Sequence, residues 1–190
     1  MGEAAVAHTV TTTEYLELER LAPEKHEYFR GEIFAMAGAS PLHNLIVGNV
    51  ITALNAALRD GPCRVFPSDL KIHVSSEQLF ANPDVSVVSG PLELLSGTSD
   101  VVLNPTVVVE VLSDSTERWD RGQKFAAYRQ IESLTDFIFV SQRDPRLEHY
   151  ARCPDGSWIL READADGAVH LLSGTCSIRI RDVYLKAFET

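Results

Sequence analysis

Residues 82–89 read NPDVSVVS and residues 104–113 read NPTVVVEVLS. Both runs are rich in β-branched residues and each carries one acid. Asp84 opens the first and Glu110 lies inside the second. Residues 106–112 are β-branched nearly throughout, which predicts a central strand covered on both faces. An ionised Glu110 in that setting must be neutralised, paired or bound to a cation, because it loses its hydration. A buried ion pair and a functional carboxylate explain it equally well. Asn-Pro-Asp alone is a common strand-entry sequence, and for Asp84 taken singly that plain reading is favoured. The combination is more specific. Adjacent strands carrying Asp84 and Glu110 can bring two hard oxygen ligands to one point, and magnesium takes few carboxylates and keeps water in its other positions.

Outward from these strands, helix and strand patterns alternate. Thr11 and Glu14 have capping-box spacing, so a short helix is expected from there to Pro23. Residues 26–38, HEYFRGEIFAMAG, read as two short strands or a bent hairpin turning near Arg30-Gly31. The clearest helix follows Ser40 as N-cap and Pro41 at the first position. Its apolar stripe runs through Leu42, Leu45, Ile46, Val50, Ala53, Leu54, Ala57 and Leu58, and Gly61-Pro62 ends it. Residues 115–133, STERWDRGQKFAAYRQIES, predict a second helix capped by Ser115 or Thr116. TDFIFVSQ at 135–142 is another strand. Beyond residue 146, RLEHYAR, SWILREA and AVHLLSG read as a meander turning at 154–156 and 164–167, and SIRIRDVYLKAF as a strand and a short helix. The expectation is a loose tail over 1–10 and a single mixed α/β domain over 11–190, with a C-terminal antiparallel β meander.

Composition narrows the function classes. The 190 residues carry 27 acids against 17 bases, a net charge of −10. That excludes a general nucleic-acid-coating surface and leaves a local basic patch or a divalent metal to offset phosphate repulsion. No apolar stretch has the length of a membrane helix, and the first residues lack the basic and apolar regions of a secretory signal. Cys63, Cys153 and Cys176 form no CxxC pair, so reduced thiols in a cytoplasmic protein are expected.

Phosphodiester cleavage also requires positive charge where the phosphate oxygens gain charge. The natural place on the strand is two residues past Glu110, and Leu112 occupies it. The next basic residues are Arg118, Arg121 and Lys124. Asp120, Lys124 and Tyr128 form one helical stripe beside Ile131 that can face the sheet, with the Lys124 stem laid on apolar surface. A surface pair between Lys124 and Asp120 is the simpler alternative. His43, off the apolar stripe of its helix, and Glu32, in the hairpin, are candidates for an auxiliary role. A solvent-facing histidine and a hairpin salt bridge describe them equally well. Asp69 is a weaker candidate. His149 and His170 fall in the meander and are read as lying on its faces.

Five segments recur together in one known family: GEIFAMAGASPLHN at 31–44, PSDLKIHV at 67–74, NPDVSVV at 82–88, NPTVVVEVLSDST at 104–116, and DRGQKFAAYRQI at 120–131 followed by a strand. In this order and spacing the chain resembles the Uma-two family of restriction-endonuclease-like proteins, within the PD-(D/E)XK nuclease superfamily, over about residues 12–185. The resemblance implies a restriction-endonuclease-like core, a mixed central sheet flanked by helices, with the active site at one end of the central strands. It implies that Asp84 and Glu110 are the motif acids and the metal ligands. The superfamily usually carries a lysine at the position of Leu112. In this family the basic role passes to the next helix, which implies Lys124. Where the superfamily often draws a further acid from the first long helix, this chain offers His43.

The function expected is a magnesium- or manganese-dependent endonuclease acting on DNA through a metal-activated water. Asp84, Glu110 and Lys124 would be its catalytic residues. The alternative is a catalytically inactive scaffold or binding protein of the same fold, motivated by Leu112 and the net charge of −10. By analogy with restriction-like folds, a homodimer is a further expectation.

Overall fold

A computed structural model describes residues 9–36 and 38–188 of the chain, so most of the expected N-terminal tail lies outside the described residues. The valine run of residues 107–111 forms the strand it predicts. β8 (Val107–Val111) is buried along its whole length, between an antiparallel neighbour, β6 (Val85–Ser89), and a parallel one, β9 (Asp136–Val140). β3 (Cys63–Pro67) closes this mixed sheet on one side, and β10 (Leu147–Arg152) and β11 (Trp158–Ala163) extend it on the other. Two strands of the expected meander therefore belong to the central sheet. Among the described residues, the last two, β12 (Ala168–Leu171) and β13 (Cys176–Arg179), form a separate two-stranded sheet.

Parity along β8 separates two cores. Val107, Val109 and Val111 pack with Ile46, Val50 and Leu54 of helix α2 (Pro41–Ala57), and with β12 and β13. Each such valine contributes roughly 1.5 kcal/mol or more by leaving water. Val108 and Leu112 face the other way, toward Phe125 and Tyr128 of helix α3 (residues 117–128). That face is shared with a five-stranded sheet in the order β2-β1-β5-β4-β7. Its members are β1 (His26–Phe29), β2 (Glu32–Ala35), β4 (Lys71–Val74), β5 (Leu79–Ala81) and β7 (Val101–Val102). Glu110 has the parity of Val108 and Leu112, so it looks toward α3.

The helices start where local chemistry starts them. Thr11 and Glu14 make the reciprocal capping box of α1 (Thr12–Leu21). Ser40 caps α2 by accepting the His43 N–H at 3.0 Å, with Pro41 in the first turn. Leu45 and Ala57, assigned to the apolar stripe, are exposed instead. α3 begins after Thr116, whose own side chain makes no cap; the Ser113 hydroxyl accepts the Thr116 N–H. The helix is shorter than expected and contains a π turn over Asp120–Lys124, where the Phe125 N–H reaches back to the Asp120 carbonyl. A short helix, α4 (Ile180–Val183), packs near α2. Among the described residues, no helix is long and apolar enough to cross a membrane.

The β1–β2 hairpin turns through Arg30 and Gly31, both with positive φ. A Cβ on Gly31 would lie 2.3 Å from Thr9 Cγ2, so glycine suits this close approach.

Candidate active site

β6 and β8 pair with Val85 opposite Val109. Asp84, just before β6, and Glu110, one residue past Val109, therefore come to the same end of the neighbouring strands. Both acids line one cleft of about 1310 Å³, which opens between the hairpin, the start of α2 and α3. The end of the central strands, the start of α2 and the inner face of α3 thus meet at one place.

Asp84 is fixed from two sides through one oxygen. Its Oδ2 accepts the Val111 N–H at 2.7 Å and lies 3.2 Å from His43 Nε2. The first turn of α2 brings His43 there. Burial works to lower the His43 pKa, but the hydrogen bond and charge of Asp84 outweigh it and hold the imidazole above its ordinary value.

Glu110 meets Lys124, whose ammonium is the centre of a buried cluster. Nζ lies 2.8 Å from Glu27 Oε1, 2.9 Å from Glu110 Oε1 and 3.4 Å from Asp120 Oδ1. All four side chains are buried. Asp120, Lys124 and Tyr128 do share an inward stripe, with Asp120 and Lys124 carried on the π turn. Such turns are over-represented where a helix aims side chains at a site. The simpler surface-pair reading of Lys124 and Asp120 does not hold, because both lie under the sheet.

Burial pushes the Glu110 carboxyl well above the usual range. Lys124 opposes the shift, while Asp120, Asp84 and Glu27 add to it. Asp120 is raised for the same first reason. For Lys124, burial pulls downward, but Glu110, Glu27, Tyr128 and Asp120 outweigh it and hold the ammonium well above its ordinary value. The lysine keeps its charge, and Glu110 retains a proton more readily than a free carboxyl does. The Glu110–Lys124 contact has ion-pair distance without hydrogen-bond geometry, and Glu110 Oε1 is left with no hydrogen-bond partner. Tyr128 Oη and Asn82 Nδ2, around the same cluster, lack partners too.

At the inner end of the cleft four of its lining acids, Glu27, Asp84, Glu110 and Asp120, gather around Lys124 and His43. The excess of acids around one ammonium suits a hard divalent cation that takes Asp84 and Glu110 and fills its other positions with water. Among the described residues, no group of three or more His, Cys, Asp or Glu side chains is placed to hold a metal ion, so a cation here would rest on two carboxylates and water.

The hairpin contributes a different acid from the one expected. Glu32 is exposed beside the turn, paired across from Phe29, and does not line the cleft. Glu27, on the opposite strand, points inward: its Oε1 accepts the Asn82 N–H at 3.2 Å and its Oε2 the Trp119 indole N–H at 3.2 Å. The available signal was an acid inside the short strand HEYF, comparable with Glu110 inside its valines. Asp69 is exposed in an ion pair with Lys25. Leu112 is buried in the core facing α3. His149 is not on a face of the meander but buried, 2.7 Å from Asp136 Oδ1. His170 is exposed. The cysteines are free, with Cys176 buried and the other two half-buried.

Comparison with known proteins places the chain in a family and supports the fold. A family model described as "Uma2: Putative restriction endonuclease" matches residues 12–178. Two proteins of Synechocystis sp. (strain ATCC 27184 / PCC 6803 / Kazusa), both described as uncharacterized, are similar along nearly their whole length. Slr1290 is 37% identical over 171 residues, 90% of this chain and 89% of the relative. Sll1609 is 34% identical over 168 residues, 88% and 95% respectively. A crystal structure from Anabaena variabilis ATCC 29413, described as "a putative nuclease belonging to DUF820", superposes with a TM-score of 0.76. It covers 94% of this chain and 99% of its own at 16% identity, a likeness of fold. The nuclease-like mixed sheet, the matching relatives and the extent of the family match identify the chain as a member of the Uma2 family.

Proposed function

We propose that the protein is a magnesium- or manganese-dependent endonuclease that hydrolyses phosphodiester bonds in DNA. The observation that carries this reading is the apposition of Asp84 and Glu110 across β6 and β8, with the Lys124 ammonium 2.9 Å from Glu110. Asp84 and Glu110 would hold the ion. When bound, such an ion polarises the phosphate and makes a water nucleophilic near neutral pH.

The chain's own residues account for the rest. The Val111 N–H and His43 fix Asp84 through Oδ2 and so orient its carboxylate. Lys124 opposes the negative charge that builds on the phosphate oxygens, and Glu27 and Asp120 hold its ammonium in place. This assigns to α3 the cation that Leu112 cannot supply. Hydrolysis adds the water oxygen to phosphorus and breaks one ester P–O bond, whose oxygen leaves with a proton.

The test is cleavage of supercoiled plasmid in manganese or magnesium, with wild type beside Asp84→Asn and Lys124→Ala. Nicking that both variants lose is the expected result. Absence of nicking by wild type, with a melting curve indifferent to both ions, would favour a non-catalytic scaffold.

A further inference from the structure

Glu27 and Phe34 stand opposite each other across the β1–β2 ladder, so their side chains share a face of the hairpin. Glu27 descends to Lys124, while Phe34 stays on the cleft wall, 38% exposed. Its ring centroid lies 5.3 Å from that of Trp119, with the planes tilted by 34°. Phe29 backs Trp119 edge-on at 5.2 Å. The Trp119 indole is further pinned by its hydrogen bond to Glu27, the acid that holds Lys124. The wall beside the carboxylates is thus a braced aromatic pair with one ring open to the cleft.

We propose that Phe34 and Trp119 form a stacking platform for an unpaired base, so that this site takes single-stranded or locally opened nucleic acid. The proposal rests on the nuclease reading above and names its substrate class. An exposed ring in a cleft has a π-face to offer, and every base can stack on one. Charge favours the same substrate. A duplex is held mainly by many phosphate contacts to free cations, yet the cleft's arginines are already engaged. Arg121 is bound by Glu117 and Glu148, Arg143 by Asp114 and Glu117, and Arg146 by Asp144 and Glu162. Stacking supplies affinity that those acids do not cancel.

The experiment uses the full chain carrying Trp158→Phe, which leaves Trp119 as the only indole. Oligothymidylate, oligouridylate, the thymidylate–adenylate duplex and an abasic phosphodiester chain of equal length are titrated in EDTA, following indole quenching and probe anisotropy. The expected result is quenching and tighter binding by both single strands, with the duplex and the abasic chain weaker by about tenfold. Phe34→Ala should remove that preference and Phe34→Tyr restore it. Equal binding of duplex and single strand would overturn the proposal, as would a preference that survives Phe34→Ala. A change in sedimentation of Phe34→Ala with binding unaltered would also overturn it, placing Phe34 between copies of the chain. Hydrolysis in manganese is scored separately. Cleavage without strand preference sinks the platform and keeps the nuclease. Strand preference without any cleavage does the reverse.

Discussion

Lys71 and Lys124 are buried alike, each 4% exposed, in settings of opposite charge balance. Lys71 donates to the Tyr15 hydroxyl at 2.7 Å, to Glu19 Oε1 at 3.0 Å and to the His26 carbonyl at 3.2 Å. Three donors meet three acceptors, and one carboxylate balances one ammonium. Glu19 is itself saturated, accepting the His26 N–H and contacting the His26 ring. Lys124 instead faces Glu27, Glu110 and Asp120, with one Glu110 oxygen unbonded. A neutral, saturated cluster has no use for a ligand and ties α1 to its sheet. An overcharged one, with three acids around one ammonium, stores the demand for another cation. Buried charge alone therefore does not mark a site here; unbalanced buried charge does.

The comparison breaks most visibly in activity. Asp84→Asn and Glu110→Gln should lower plasmid nicking by on the order of a thousandfold, while Glu19→Gln, outside the cleft lining, should retain the wild-type rate per folded molecule. Equal losses in all three would mean that nicking follows stability and that the two clusters do not differ in role.

In stability the order reverses. Glu19→Gln strips Lys71 of its one carboxylate among the described residues, so urea unfolding should show a loss of about 3–5 kcal/mol. Glu110→Gln removes a buried acid from a cluster with acids to spare. Without metal, near pH 8, it should leave stability unchanged or raise it by about 1 kcal/mol. A destabilisation matching that of Glu19→Gln would show that Lys124 depends on Glu110 as Lys71 depends on Glu19.

A divalent ion should separate the clusters by a smaller margin. At a hundred times its dissociation constant, a ligand of the folded state adds about 2.7 kcal/mol, which in a chain of this size raises Tm by roughly 5–10 °C. Glu19→Gln should keep that rise from its lower baseline, and Asp84→Asn and Glu110→Gln should lose it. A rise that survives both cleft variants would place the ion elsewhere.

Local chemistry made part of this legible in the sequence. The valine run around Glu110, the Thr11–Glu14 box, the Ser40 cap and the shared stripe of Asp120, Lys124 and Tyr128 all follow from short-range rules, and the structure contains each. Glu27 carried only the weak signal of an acid inside HEYF, because a four-residue hairpin strand gives too little alternation to say which acid turns inward. The hairpin's docking against α3 decides it, and that contact spans the sequence from Glu27 to Trp119. His149 was misread for the same kind of reason. Only the continuation of the main sheet through β10 places it beside Asp136. The π turn also has no signature in residues 120–124.

The smallest effect is the shape of the pH–stability curve in EDTA, and it tests the difference in charge balance directly. Burial tends to raise the Glu19 pKa, but the His26 N–H and Lys71 outweigh it and the folded value lies below the usual one. Its contribution is present above the unfolded carboxylate pKa, about 4.3, and is lost as pH falls through the lower folded value. Glu110 and Asp120 are raised, so their contributions have the opposite sign. They are complete below the unfolded values and are lost as pH climbs through the folded ones. Urea midpoints measured from acid to mildly alkaline pH should therefore show Glu19→Gln flattening the acid limb alone. Glu110→Gln should flatten a decline of the opposite sign, which begins as pH rises past the unfolded carboxylate value and ends at the raised folded one. If Glu110→Gln instead flattened the acid limb, Glu110 would be an ordinary salt-bridge partner of Lys124, and the excess charge attributed to the cleft would not exist.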